Sequence, residues 1–268
     1  MKNIVLPLAA VLLLAQLDPC RAGASATVPE DGVIRLSEYG YRNWGPELVH
    51  YQIDAKKFRS GRLVLIGPGS NAVPFQIKDG TLSFVASLTN GQTNDYKLQP
   101  SPNDRSKENS AVTTKKSGDI LEIANSQFAI RVPAPTAKSF KEAVAIEQVP
   151  VPLTGFKPAG FEWCGGSRFF TDRKVLSFAM AVAEEGPASV VYEARYRFAP
   201  KGEYVFRIRV SDGLSHAVVT EEFDFGAQTE GHDFLLLGLS ENWKPNEVRR
   251  LDSGGGDSSA VRQEPLAE

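Results

Sequence analysis

Sulfur and imidazole are scarce in this 268-residue chain, which holds two cysteines, two methionines and three histidines. Cys20 falls within an N-terminal leader, so Cys164 is the one thiol of the mature chain and an intramolecular disulfide is excluded. His50, His216 and His232 are scattered without the HxH or HxxxH spacing of a metal site, and neither a metal nor a cofactor is expected. Gly67-Pro68-Gly69-Ser70 lacks the lysine and the spacing of a phosphate loop, and no Gly-x-Ser-x-Gly elbow occurs. A formal net charge of -2 gives no global field to recruit nucleic acid. Beyond the leader there is no apolar run of about 18 residues, so no membrane span is expected.

The leader itself is residues 1–26. Lys2 supplies a positive start, Ile4 to Leu17 is almost wholly apolar, and Ala22-Gly23-Ala24 offers small residues for cleavage. These features predict a signal peptide and a secreted or periplasmic protein that begins near Ser25. Asp18-Pro19-Cys20 has the look of a lipid acceptor, but proline directly before the cysteine fixes φ and makes a poor substrate.

With 42% hydrophobic and 23% charged residues, the remaining chain can bury a core. Residues 27–104 read as a small β domain, a barrel or a sandwich. Its candidate strands are Val33–Ser37, Leu48–Ile53, Arg62–Ile66, Val73–Ile77, Thr81–Ala86 and Asp95–Leu98. Gly67-Pro68-Gly69, Asp79-Gly80 and Asn90-Gly91 punctuate them, and Asp79-Gly80 has the composition of a tight hairpin. Residues 105–118 belong to a stretch rich in Ser, Pro, Asn and Lys with few apolar anchors, and read as a linker. Strands resume at Ile120–Ala124 and Phe128–Val132, while Lys138–Ala145 reads as a helical turn or two between prolines.

Residues 119–240 read as a long-stranded antiparallel β-sandwich domain. In Val190–Phe198, Val190, Tyr192, Ala194, Tyr196 and Phe198 alternate with Glu193, Arg195 and Arg197. Tyr204, Phe206, Ile208 and Val210 alternate with Arg207 and Arg209, and Val219, Phe223 and Phe225 alternate with Thr220, Glu222 and Asp224. Such a meander needs a second sheet over its apolar face, and few strands remain after Leu239 to supply one. The domain therefore reads as incomplete, a partial supersandwich able to self-associate through an uncovered sheet, and residues 241–268 read as a flexible tail.

Three groups of residues bear on function. Arg195, Arg197, Arg207 and Arg209 share one sheet face; they either cradle an acidic sugar through paired hydrogen bonds or form a solvated face neutralised by Glu193 and Glu222. Trp44, with Tyr39, Tyr41, His50 and Tyr51, marks an aromatic-rich loop and strand. Trp163, with Phe161, Phe169 and Phe170, marks another beside Cys164, where a buried structural thiol competes with a reactive one. Exposed rings stack on sugar rings, whereas buried ones supply core area. The adjacent pairs Glu184-Glu185 and Glu221-Glu222 point to opposite strand faces and make no two-carboxylate set.

The order of features resembles that of a known group. A leader is followed by Leu63-Val64-Leu65-Ile66, Val73-Pro74-Phe75-Gln76 and Leu82-Ser83-Phe84-Val85. Then come Leu121 to Val132, the turn Gly165-Gly166-Ser167-Arg168 and the long meander. This succession resembles the N-terminal region of secreted bacterial polysaccharide-processing proteins of the exo-rhamnogalacturonan lyase-like group, in which a small barrel precedes a β-supersandwich. The resemblance implies a non-catalytic module of a carbohydrate-active protein that contacts sugar or packs against a catalytic part. No catalytic residue carries over. The alternatives are a complete lyase or hydrolase acting on acidic glycan, and a structural adhesion module.

Overall fold

The computed structural model describes residues 26–54, 58, 63–101 and 111–224, together with the backbone of Leu12–Leu13, Leu237–Leu239, Val248–Leu251 and Val261–Glu264. The rest of the leader, residues 102–110, which include the first part of the linker, and most of the tail lie outside the described residues.

The described residues are all-β, and among them no sheet closes into a barrel. The first strands are β1 (Leu12–Leu13), β2 (Val33–Ser37), β3 (Trp44–Gln52), β4 (Leu63–Ile66), β5 (Ala72–Val73), β6 (Phe75–Lys78), β7 (Thr81–Leu88) and β8 (Thr93–Pro100). β2 to β8 build a small sandwich from one sheet in the order β2-β8-β4-β5 and another in the order β3-β7-β6. Ile34, Leu65, Leu82 and Phe84 are completely or almost completely buried between the two sheets, with Tyr96 packed on Phe84 at 4.8 Å between ring centroids. Asp79 and Gly80 both take positive φ, 49° and 74°, which closes β6 onto β7 in the tight turn their composition predicts.

The following strands are β9 (Thr113–Ser117), β10 (Ile120–Ala124), β11 (Phe128–Pro133), β12 (Thr136–Val144), β13 (Gly155–Pro158), β14 (Ser167–Phe169), β15 (Val175–Glu185), β16 (Ser189–Phe198), β17 (Glu203–Ser211) and β18 (Ala217–Asp224). Short strands β19 (Leu237–Leu239), β20 (Val248–Leu251) and β21 (Val261–Glu264) complete the order. The meander lies in a six-stranded sheet ordered β1-β18-β17-β16-β15-β12, and a four-stranded sheet ordered β13-β11-β10-β9 lies against it. One core joins them: Ile123, Ile130, Val132 and Phe156 from the smaller sheet meet Tyr192, Tyr196, Tyr204 and Phe206 from the larger. Buried hydroxyls stay satisfied across the layers, as Tyr192 donates to the Pro133 carbonyl at 2.9 Å and Tyr196 to that of Pro150 at 2.8 Å.

Three expectations are corrected here. The apolar face of the meander is covered over most of its length, because its partner sheet comes from strands that precede it in sequence, while Phe223 near the end of β18 stays exposed. Residues 113–117, assigned to the linker, form edge strand β9, whose Lys115 and Lys116 are exposed. Lysines on an edge strand hinder pairing with another chain, so polarity here is compatible with a strand. Lys138–Ala145 is extended: most of it belongs to β12, which pairs antiparallel with β15.

The two sandwiches meet at the β15–β16 turn. Gln76, buried on β6, donates through Nε2 to Glu184 and to Ser189 Oγ, the latter at 3.0 Å. Its Oε1 accepts the Ser189 N–H at 3.0 Å. Gly186 makes room for it, since a Cβ there would stand 2.3 Å from Gln76 Oε1. Lys78 adds a bond to the Ala183 carbonyl and an ion pair with Glu184 at 3.6 Å.

Candidate functional site

Glu38, the residue immediately after β2, organises the loop that carries the first aromatic group. Its carboxylate is buried and accepts four backbone N–H bonds: Gly40 at 2.6 Å, Tyr41 at 2.7 Å, Arg42 at 3.0 Å and, from the facing β7–β8 turn, Gly91 at 2.6 Å. The Gly91 N–H, working against burial and joined by those of Arg42, Gly40 and Tyr41, holds the carboxyl at about 2. The charge is thus spent on fixing backbone. Gly40 sits at φ 92°, a conformation that glycine adopts without a Cβ penalty.

The rings on this loop point away from the core. Tyr39 is 83% exposed, Tyr41 87% and Trp44 41%, with the Arg42 guanidinium lying over the Trp44 ring at 4.1 Å. Asn43 braces the same loop by accepting the Asn90 N–H at 2.8 Å. Exposed large rings on a backbone tied down by hydrogen bonds offer apolar area whose backbone needs little further ordering on binding. His50 and Tyr51, further along β3, do not join this surface. His50 bonds through Nδ1 to Ser83 Oγ at 2.8 Å, and Tyr51 packs toward Phe84.

The four arginines do not act as one group. Arg195 pairs with Glu203 at 2.9 Å and Glu193 at 3.2 Å, Arg197 with Glu203 at 3.4 Å, and Arg207 with Glu193 at 2.6 Å and also with Glu222. Burial pushes the Glu193 carboxyl up, but the bonds and charges of Arg207 and Arg195 together hold it below its ordinary value. This ladder follows from the register, which sets Glu193 opposite Arg207 and Arg197 opposite Glu203. Arg209 stands apart. It lies beside Val191, which faces outward by parity yet is buried, because the first sandwich covers this end of the sheet. Burial and then the Arg209 charge push the His50 imidazole down, with Glu184 opposing. Arg209 Nε is buried with no hydrogen-bond partner among the described residues. An open groove of about 290 Å³ beside Arg195 and Arg197 is floored by Ala137, Ser139, Ser177 and Ala179.

Trp163 belongs to the opposite layer. It is half-buried against Gly155 on the outer side of the smaller sheet, with the Arg131 guanidinium 3.8 Å over its ring. Arg131 in turn pairs with Glu122 at 3.5 Å. Cys164 beside it is partly buried and bridges by backbone to Phe156. The candidate residues Trp44, Trp163 and the arginines therefore occupy three separate surfaces. Among the described residues, no group of three or more His, Cys, Asp and Glu is placed to hold a metal.

A second open groove, about 600 Å³, lies on the first sandwich, and residue patterns did not single it out. Its floor is the outer face of β2 and β8, where Arg35 and Asp95 form a two-pronged pair at 2.8 Å for each contact, and Thr93 bonds to Ser37 at 3.0 Å. The short 3₁₀ turn Pro68–Ser70 forms one wall. The alternation Arg35, Ser37 on one strand was the available signal, and Glu38 carried none. Compared with known protein families and with curated proteins, the chain matches none.

Proposed function

We propose that this chain is a non-catalytic β module of a secreted or periplasmic carbohydrate-active protein, and that it contacts sugar through the Tyr39–Trp44 loop. The observation that carries this reading is the pair of nearly fully exposed tyrosines, with Trp44 beside them, on backbone fixed by the Glu38 carboxylate. Rings on a fixed backbone meet the apolar face of a sugar ring with only their own side-chain torsions left to order. The sequence order that resembles polysaccharide-processing proteins supports the same assignment. A catalytic role on acidic glycan draws less support, since Arg195, Arg197 and Arg207 already carry glutamate partners.

The test is affinity electrophoresis of the wild type and of Tyr41→Ala through gels containing plant and bacterial polysaccharides. At least one polysaccharide should retard the wild type, and Tyr41→Ala should weaken that retardation about tenfold, the loss of about 1.4 kcal/mol of ring stacking. Retardation unchanged in Tyr39→Ala, Tyr41→Ala and Trp44→Ala would overturn the reading.

A further inference from the structure

The groove floored by β2 and β8 leads directly to the aromatic loop. Ser37 and Thr93 oppose each other at the end of the floor, and the next pairing beyond them is the Glu38 N–H to the Gln92 carbonyl at 2.8 Å. Tyr39 follows two residues after Ser37, on the loop whose backbone Glu38 holds. Groove and loop are thus continuous along one strand pair.

The chemistry of the floor is balanced. Arg35 has five N–H donors, and Asp95 takes two of them, while each Asp95 oxygen keeps a free lone-pair direction. Both side chains are accessible, at 66% and 46% exposed. The pair therefore offers adjacent donors and acceptors at no net charge, which suits neighbouring hydroxyls that both donate and accept. A carboxylate that reached the N–H groups Asp95 leaves open would stand beside Asp95 as a like charge, whereas a hydroxyl would not. Hydroxyls of Ser37 and Thr93 extend the same surface toward the rings.

We propose that this groove and the Tyr39–Trp44 loop form one elongated site for a neutral, hydroxyl-rich polysaccharide. The floor binds sugar hydroxyls, and the loop stacks on a ring further along the chain. The assignment rests on the sugar-contacting reading of the loop and adds the groove and the class of glycan.

The experiment is isothermal titration of the full chain with soluble galactan, arabinan and xylan as neutral probes and polygalacturonate as the acidic one. It uses the wild type, Asp95→Ala, Ser37→Tyr to fill the groove, and Tyr41→Ala, each checked for folding by circular dichroism. Binding of a neutral probe should weaken at least tenfold in Asp95→Ala, Ser37→Tyr and Tyr41→Ala alike, and change less than twofold between 50 and about 500 mM NaCl. Loss in Tyr41→Ala with full binding in both groove variants would overturn the groove and leave the loop reading intact. Loss in the groove variants alone would overturn the loop reading. Binding restricted to polygalacturonate and removed by salt would overturn the neutral class, and no binding to any probe would overturn both proposals.

Discussion

Replacing Gly186 by alanine should damage the joint between the two sandwiches far more than one methyl group suggests. The new Cβ would stand 2.3 Å from Gln76 Oε1, 2.9 Å from Cδ and 3.0 Å from Cβ, so the glutamine cannot stay in place. Its displacement breaks the bonds to Glu184 and Ser189 Oγ and leaves the Ser189 N–H buried without its acceptor. Two bonds at about 1 kcal/mol each and one unsatisfied buried donor at about 1–3 kcal/mol give a loss of about 2–4 kcal/mol after partial relaxation. Urea denaturation followed by tryptophan fluorescence measures it. Because both substitutions act on the same contacts, Gln76→Ala should cost a similar amount, and the double variant should cost little more than Gln76→Ala alone. A Gly186→Ala midpoint within about 0.5 kcal/mol of wild type, or losses that simply add, would refute this account of the socket.

Glu38 has its carboxyl held at about 2, below the ordinary carboxylate value, so it adds stability above pH 4.5 that disappears as pH falls toward 2. Thermal unfolding should show that pH slope in the wild type and a smaller one in Glu38→Gln, which should also melt lower at pH 7. Glu221 has the opposite sign. Burial pushes its carboxyl up despite the hydroxyl of Tyr204 donating to it, so ionisation at neutral pH opposes folding. Glu221→Gln should therefore melt higher than wild type at pH 7, with the gap closing as pH falls toward the ordinary carboxylate value. Arg207→Ala breaks two partly exposed ion pairs and should cost about 1 kcal/mol, less in 0.5 M salt, measured by chemical denaturation.

Period-two alternation made most of the fold legible. The strands from Val190 to Asp224 carry apolar residues on one parity, and Asp79-Gly80 marks its turn by composition. Two strands were hidden because their positions relax the rule. β9 is an edge with little to bury, and β12 is largely exposed along most of its length, so neither shows clean alternation. The cover over the meander was missed for another reason. Ile123 and Ile130 read as strand residues, but nothing local says that their sheet lies across Tyr192 and Tyr196 rather than elsewhere. Non-local pairing is a property of the whole chain.

The site was legible in part. Trp44 reads as part of a loop bounded by glycines; the structure makes it the first residue of β3 and leaves it and its tyrosine neighbours in contact with solvent. Shared parity of the arginines was visible, whereas their separation by Glu203, Glu193 and the cover over Arg209 depended on cross-strand register and on the neighbouring sandwich. Glu38 gave no signal because it bonds backbone N–H groups, which every sequence offers, and Gln76 none because its partners lie on a turn far away in sequence.

The most direct measurement of the central claim is a map of amide chemical-shift changes on titrating the isotope-labelled chain with neutral oligosaccharides. The account expects changes confined to Ser37 through Gly45, Asn90 through Asp95 and the Pro68–Ser70 turn. Changes centred on Arg195, Arg197 and Arg207, or on Trp163, with the Tyr39–Trp44 loop silent, would contradict it.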